Sequence, residues 1–347
     1  KKKISSDIEI DASNHIVLPG LINTHHHLFQ TLTKAIIKAQ NASLFDWLKI
    51  LYPIWSRITS VELKSAVKIG LSELMTSGCT TTSDHLYIFP NGIKLEDEIE
   101  VAQTLGIRFH STRGSMSIGE SNGGLPPDYL VEDESFIIKD SQDIINKWHD
   151  PSHGSMIRIA LAPCSPFSVS KELMRDTAIL AREYNVGLHT HLAENSDDVE
   201  YSKRMFGLTP GQYIEELGWI GKDVWHAHCV KLNNEEIDLF SRTGTSVSHC
   251  PCSNMRLGSG ILPLNKMLDK GVNVGLGVDG SASNDSGNLL NEARQALYLQ
   301  RVNEPNNFYL NARNALWLAT AGGAIALNRD DIGSIKVGNC ADFAIYD

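Results

Sequence analysis

Positive charge is in short supply in this chain: 31 lysines and arginines stand against 41 aspartates and glutamates, a formal net charge of −10. No basic stripe follows Lys1-Lys2-Lys3, so nucleic acid is not an expected partner. No apolar run is long enough to cross a bilayer, which speaks against a membrane protein. The three lysines lead into alternating Ile4, Ile8 and Ile10, not into the hydrophobic segment of a secretory leader. The six cysteines (Cys79, Cys164, Cys229, Cys250, Cys252 and Cys340) are scattered and include no CxxC pair. In a chain of 347 residues they read as reduced thiols of a cytoplasmic protein and not as a disulfide frame. Cys250-Pro251-Cys252 is spaced too tightly for the usual cysteine zinc site.

What is present is 42% hydrophobic and 21% charged, enough for one large α/β domain or two smaller ones. An apolar run over 16–22 is followed by helical periodicity over 44–50 and 61–75, after which strand and helix alternate. Counting from Val17, eight strands are expected: 17–22, 80–85, 107–113, 157–162, 186–193, 224–230, 245–249 and 272–279. Helices are expected between them and over 288–302. Repeated short βα units imply a parallel sheet with crossover helices, and eight of them fit a closed (β/α)8 barrel of the TIM type. The competitor is an open doubly wound sheet, which would want a Gly-rich nucleotide turn after its first strand; none is present. Residues 1–16 and 333–347 are assigned to a partial small β domain, the remnant of a β-sandwich. In it Ile4 to Ile10 would pair with two strands around Gly338-Asn339. The full protein is expected to carry more of this sheet. The barrel takes residues 17–332.

Active sites of such barrels lie at the C-terminal ends of the strands. The first strand ends in His25-His26-His27, and alternation along a strand puts His25 and His27 on one face and His26 on the other. Two imidazoles at i and i+2 form half of a divalent metal site. The fifth strand supplies His189 and His191 followed by Glu194, the sixth His226 and His228, the seventh His249 and the eighth Asp279. A single buried histidine is more often a packed residue than a ligand, but packing alone does not account for so many at successive strand ends. Gln30, His85 and Arg113 stand at the mouth and, with His249, are candidate substrate contacts; Arg113 is equally well read as an ion pair supporting the following loop. His26, His110 and His189 are read as packing or supporting groups. The Gly-rich loop 114–127 is a candidate lid.

The motifs PGLINTHHH, HLAEN, HAHCV, SHCPCSN and GVDGSASND resemble those of the amidohydrolase superfamily over Val17 to about Asn328. They match best its branch of cytosine, guanine and S-adenosylhomocysteine deaminases and chlorohydrolases. HHHLFQTLTKA, RGSMSIGESNGGLPPD and HCPCSNMRLGSG resemble in particular the 8-oxoguanine deaminases. The resemblance implies one divalent metal per subunit, Zn(II) ahead of Fe(II), held by His25, His27, His191 and Asp279. It also implies Glu194 as proton shuttle and His228 as a donor to the water or the substrate. Asp279 would hold the metal while accepting a proton from its water, whose pKa a divalent ion lowers to about 7. No lysine stands on the fourth strand to bridge two metals.

The function implied is hydrolytic deamination of an amino-oxo purine, 8-oxoguanine to urate and ammonia, by a homo-oligomer, dimer or higher, acting on a small heteroaromatic molecule. A pterin deaminase such as one for isoxanthopterin, or a triazine aminohydrolase or chlorohydrolase of the hydroxyatrazine type, is the alternative within enzymes. A catalytically silent metal-binding barrel is the alternative outside them, disfavoured because a pure metal site needs neither Glu194 nor His228.

Overall fold

The structure is a computed structural model, and it describes residues 7–304 and 309–347. Ten strands occur among them: β1 (Ile16–Pro19), β2 (Leu21–Asn23), β3 (Cys79–Leu86), β4 (Arg108–Ser115), β5 (Ile157–Pro163), β6 (Gly187–Leu192), β7 (Val224–His228), β8 (Ser246–His249), β9 (Val274–Leu276) and β10 (Phe343–Tyr346). Strands β2 to β9 pair in sequence order, all parallel, and Asn23 opposite Leu276 closes the ring. The architecture is a closed (β/α)8 barrel, and the open sheet is excluded.

The helices that bear on the site are α1 (Leu44–Trp55), α2 (Ser60–Thr76), α3 (Leu95–Leu105), α4 (Glu134–Trp148), α5 (Lys171–Glu183), α6 (Ser196–Phe206), α7 (Pro210–Glu216), α8 (Asn234–Thr243), α9 (Pro251–Arg256), α10 (Leu264–Asp269), α11 (Ser281–Asn284) and α12 (Leu289–Asn303). Their starts follow local chemistry. Ser170, Asn195 and Asn233 each accept a backbone N–H of the first turn, satisfying donors the helix itself leaves unpaired. α6 was not expected from periodicity, although Asn195 is a regular cap; it is strongly polar, with only Asp198 and Ser202 buried. Further helical turns over 312–326 were likewise missed. All six cysteines are free, and no helix among the described residues is long and apolar enough to cross a membrane.

The small sheet differs from expectation. Ile4 lies outside the described residues, and Ile8 and Ile10 are exposed and belong to no strand. It is β1 that pairs with β10, antiparallel, with Ile16 opposite Tyr346 and Pro19 opposite Phe343. The apolar run 16–22, read as one strand, is divided at Gly20 by a change of hydrogen-bond partner. Gly20 N–H donates to Asp342 at 2.8 Å, while Leu21 N–H donates to Gly78 at 2.9 Å and enters the barrel. The segment 335–338 forms no strand.

Gly20 makes this switch where the side chain of Thr80 closes in: a Cβ there would stand 2.0 Å from the Thr80 hydroxyl. Gly20→Ala is therefore expected to lower stability by about 1–3 kcal/mol through overpacking, read as an earlier urea midpoint. An unchanged midpoint would mean that Thr80 turns aside freely.

Candidate active site

The strand ends are stitched before any functional group is placed. The Asn23 amide donates to the Thr82 hydroxyl at 2.9 Å and accepts Val278 N–H at 2.9 Å, tying β2 to β3 and to the segment after β9. Thr24 Oγ1 donates to the Leu276 carbonyl at 2.9 Å and meets Ser248 Oγ at 2.6 Å. The histidines that follow leave a cross-linked platform.

Their protonation follows from which partners can only accept. His189 Nδ1 lies 2.8 Å from the Trp225 carbonyl, so it carries the proton, and its Nε2 accepts from His25 Nδ1 at 2.8 Å. His27 Nδ1 donates to the carbonyl of His85 at 2.7 Å, and His191 Nδ1 to that of Cys164 at 2.5 Å. In all three rings Nε2 is then a bare lone pair. These lone pairs converge: His27 Nε2 stands 3.0 Å from His191 Nε2, and Asp279 Oδ1 is 3.3 Å from both His25 Nε2 and His27 Nε2. Burial keeps the rings from protonating. It pushes the His25 and His27 pKa values down, only partly offset by Asp279, and that of His191 down to about 3. His25 Nε2 has no hydrogen-bond partner among the described residues. Three neutral imidazole acceptors and a carboxylate facing one another without a shared proton suit a divalent cation, with the Nδ1 acceptors orienting each ring.

Asp279 is held ionised. Burial would raise its pKa, but the surrounding histidines outweigh it, and Gly280 N–H (2.7 Å), Ser253 Oγ (2.6 Å) and Ser283 Oγ (3.1 Å) donate to its oxygens. Asp279 sits at φ 61°, and Ala193, His228 and Cys229 at 48°, 69° and 57°. Four left-handed non-glycine residues around one site are strained backbone of the sort that aims side chains at functional centres.

His228 and Glu194 flank this cluster. His228 Nδ1 is 2.9 Å from Asn254 Oδ1, and its Nε2 is 3.6 Å from Glu194 Oε2 and 3.9 Å from Asp279 Oδ2. Burial would lower the His228 pKa, but Glu194 and Asp279 together hold it above the usual value. Glu194 also accepts from Ser259 Oγ at 3.2 Å; burial raises its pKa to about 7, with His228 opposing.

A cavity opens on these groups, with about 450 Å³ of empty space that includes open solvent. His27, His191, Glu194, His228 and Asp279 line its floor, with Gln30, Tyr87, Cys164, Ser165 and Ser283 around it. α1 crosses the mouth and contributes Leu44, Trp47, Leu48 and Tyr52, while Phe167 and Leu257 complete the wall. These wall residues were not anticipated. The i, i+3, i+4 apolar spacing of 44, 47, 48, 51, 52 and 55 marks a buried face but does not say what the face covers.

Of the expected substrate contacts only Gln30 lines the cavity. Arg113 does not reach it: its guanidinium donates to Asp140 at 2.7 Å and to Glu132 at 2.8 Å and lies over the Phe89 ring, which is the ion-pair reading of this residue. His85 sits behind the cluster, its Nε2 on the Ala162 carbonyl at 2.8 Å and its ring stacked on His191. His249 is fully buried outside the cavity wall. Neither ring lines the cavity, and both His249 ring nitrogens lack a hydrogen-bond partner among the described residues. The loop 114–127 lines none of the cavity; Ser117 and Ile118 N–H are tied to the Ser168 carbonyl. His26 faces away, its Nε2 beside Gly70 of α2.

A family model described as "Amidohydrolase family" matches residues 16–347. An 8-oxoguanine deaminase of Pseudomonas aeruginosa is 48% identical over 340 residues, covering 97% of this chain and 76% of the relative. An isoxanthopterin deaminase from an unknown prokaryotic organism is 36% identical over 357 residues, 97% and 74% of the two chains. Among solved structures, an atrazine chlorohydrolase of Arthrobacter aurescens complexed with zinc superposes with a TM-score of 0.91 at 36% identity, over 95% of this chain and 75% of that one.

Two substitutions test the lone-pair arrangement. His191→Ala should abolish metal binding, measured by elemental analysis after dialysis. His189→Phe, which keeps the ring but removes the acceptor of His25 Nδ1, should weaken it by about 10–100-fold. Retention of a full metal complement in both would refute the assignment of the lone pairs.

Proposed function

The chain belongs to the amidohydrolase family, hydrolases of carbon–nitrogen bonds, and from that premise we propose that it deaminates an amino-oxo purine, taking 8-oxoguanine to urate and ammonia by hydrolysis at the 2-amino group. The observation that carries the reading is the pairing of Glu194 with His228 on the cavity floor, 3.6 Å apart and beside the donor cluster. The choice of 8-oxoguanine is supported by the 48% identical relative that covers nearly the whole chain.

One divalent ion, zinc before iron, is assigned to His25, His27, His191 and Asp279; when bound, it supplies the Lewis acidity that makes a water nucleophilic near neutral pH. Asp279 keeps Oδ1 toward His25 and His27, while Oδ2 accepts from Ser253 and Ser283 and faces His228; as a carboxylate it is suited to take up the proton that the water gives off. Glu194, with a pKa near neutrality, is suited to deliver its proton to the ring nitrogen; the proton held by Asp279 goes to the departing amine, and the proton of the added hydroxyl restores Glu194 as the new carbonyl forms. His228 Nε2 faces the same space and steadies oxygen as it becomes negative. The apolar wall from α1 excludes bulk water and receives the flat face of the ring.

Glu194→Gln is expected to retain its metal and to lose about two to four orders of magnitude in turnover. If metal is lost along with activity, Glu194 is a ligand and the division of roles fails. Ammonia release should be screened on metal-replete protein with 8-oxoguanine, guanine, isoxanthopterin and hydroxyatrazine. Guanine, lacking the 8-oxo group, should be poorer by as much as about 10⁴-fold in kcat/KM, because a polar partner is left unpaired in the site. A preference for the pterin or the triazine would keep the mechanism and discard the purine.

A further inference from the structure

The cavity wall carries two phenols that the chemistry at the floor does not use. Tyr52, in the middle of α1, is 1% exposed, and its hydroxyl meets only the thioether of Met116, at 3.8 Å. A thioether is a weak acceptor, so this O–H is close to unsatisfied in a buried position. Tyr87, just past β3, is 3% exposed, and its hydroxyl is approached by the Gln30 amide at 3.5 Å, the outer limit of a hydrogen bond. In that contact Tyr87 accepts and its own proton has no destination. Gln30 Oε1 has no partner among the described residues either, and it is pressed against Gly280, where a Cβ would stand 1.9 Å away. Buried polar groups in native proteins are paired, and each exception asks for a partner.

The rest of the wall narrows what that partner is. Among the described residues no lysine or arginine lines the cavity, and its carboxylates are Glu194 and Asp279 on the floor. Away from the floor a ligand carrying a carboxylate or phosphate finds no lysine or arginine, and a long tail meets mainly Leu44, Trp47, Leu48, Phe167 and Leu257. Burial raises the Tyr52 and Tyr87 pKa values, so both phenols stay protonated donors.

We infer that Tyr52 and Tyr87 are specificity-determining residues, each donating a hydrogen bond to one carbonyl oxygen of an uncharged, dioxo heteroaromatic ring whose amine faces the floor. The Gln30 amide backs the Tyr87 hydroxyl at 3.5 Å. This rests on the proposed deaminase function and deepens it. The site distinguishes rings by their oxo groups, one phenol per carbonyl. Both phenols act on binding and not on the scissile bond; the Tyr87 ring packs edge-on against His27 with centroids 5.1 Å apart, a contact that Tyr87→Phe keeps.

The test is steady-state kinetics of wild type, Tyr52→Phe and Tyr87→Phe on 8-oxoguanine and guanine, which differ by one carbonyl, with metal content and melting temperature as controls for folding. Each variant should lose about ten-fold in kcat/KM on 8-oxoguanine, chiefly through KM, the scale of one neutral hydrogen bond. On guanine one variant should lose as much, marking the phenol that reads the shared carbonyl. The other should leave guanine unchanged or improve it, because the donor that guanine leaves unpaired is gone, so that it alone narrows the preference for 8-oxoguanine. If wild type hydrolyses 8-oxoguanine and both variants match it within about two-fold, or both lose equally on the two rings, the phenol assignment falls while the deaminase reading stands. If wild-type, metal-replete protein releases ammonia from neither purine, the purine reading falls and takes this inference with it.

Discussion

Every polar feature of this site depends on where three protons are not. His25, His27 and His191 each give their Nδ1 proton to an acceptor fixed by the barrel: His189 for the first, the carbonyls of His85 and Cys164 for the other two. Each ring is therefore committed to one tautomer and one orientation, and the Nε2 lone pairs meet around the Asp279 carboxylate. Burial makes an imidazolium costly at all three positions, so the electron pairs stay available near neutral pH. The arrangement is costly without a cation, and the left-handed backbone at Asp279 and His228 adds to that cost. The parallel ladder offsets it, with the β2, β3, β8 and β9 ends bound to one another through Asn23 and Thr24.

The cavity above the floor divides its labour by polarity. Glu194 and His228 face each other at one end, where proton transfer is needed, and a wall of aromatic and aliphatic side chains from α1 occupies the other. Burial lifts Glu194 to about 7, into the range where a carboxyl can both give and take a proton. The same burial leaves Tyr52 and Tyr87 as neutral donors with little to bond inside the protein. Low polarity in the wall thus serves both catalysis and recognition: it tunes the acid and makes each unpaired donor count against a ligand that cannot satisfy it.

Much of this was legible in the chain. The alternation of short apolar strands with amphipathic helices is a periodic, local signal, and eight repeats of it specify the barrel. The convergence of His25, His27, His191 and Asp279 was also readable: strand alternation puts His25 and His27 on one face, and the resemblance singled out His191 and Asp279 among the strand-end groups. Boundaries were less legible. The run 16–22 has no change of hydrophobicity to mark where β1 leaves the small sheet and β2 joins the barrel; Gly20 alone signals it, through the approach of Thr80. α6 escaped notice because it is strongly polar, with only Asp198 and Ser202 buried.

By itself, the order of amino acids determined the barrel, the donor set and the presence of a glutamate and a histidine next to it, all properties of residue type and near-neighbour spacing. The tertiary structure decided what depends on partners far apart in the chain. Arg113 at a strand end looked free for a ligand until Glu132 and Asp140 were seen to hold it. His85 looked like a mouth residue until its ring was seen stacked on His191 and bonded to the Ala162 carbonyl, and His249 is buried without lining the cavity. Tyr52 belonged to an ordinary apolar helix face until that face closed over the mouth. Charge pairing, burial and the sharing of a single proton are set by distances between such remote groups, and only folding fixes those distances.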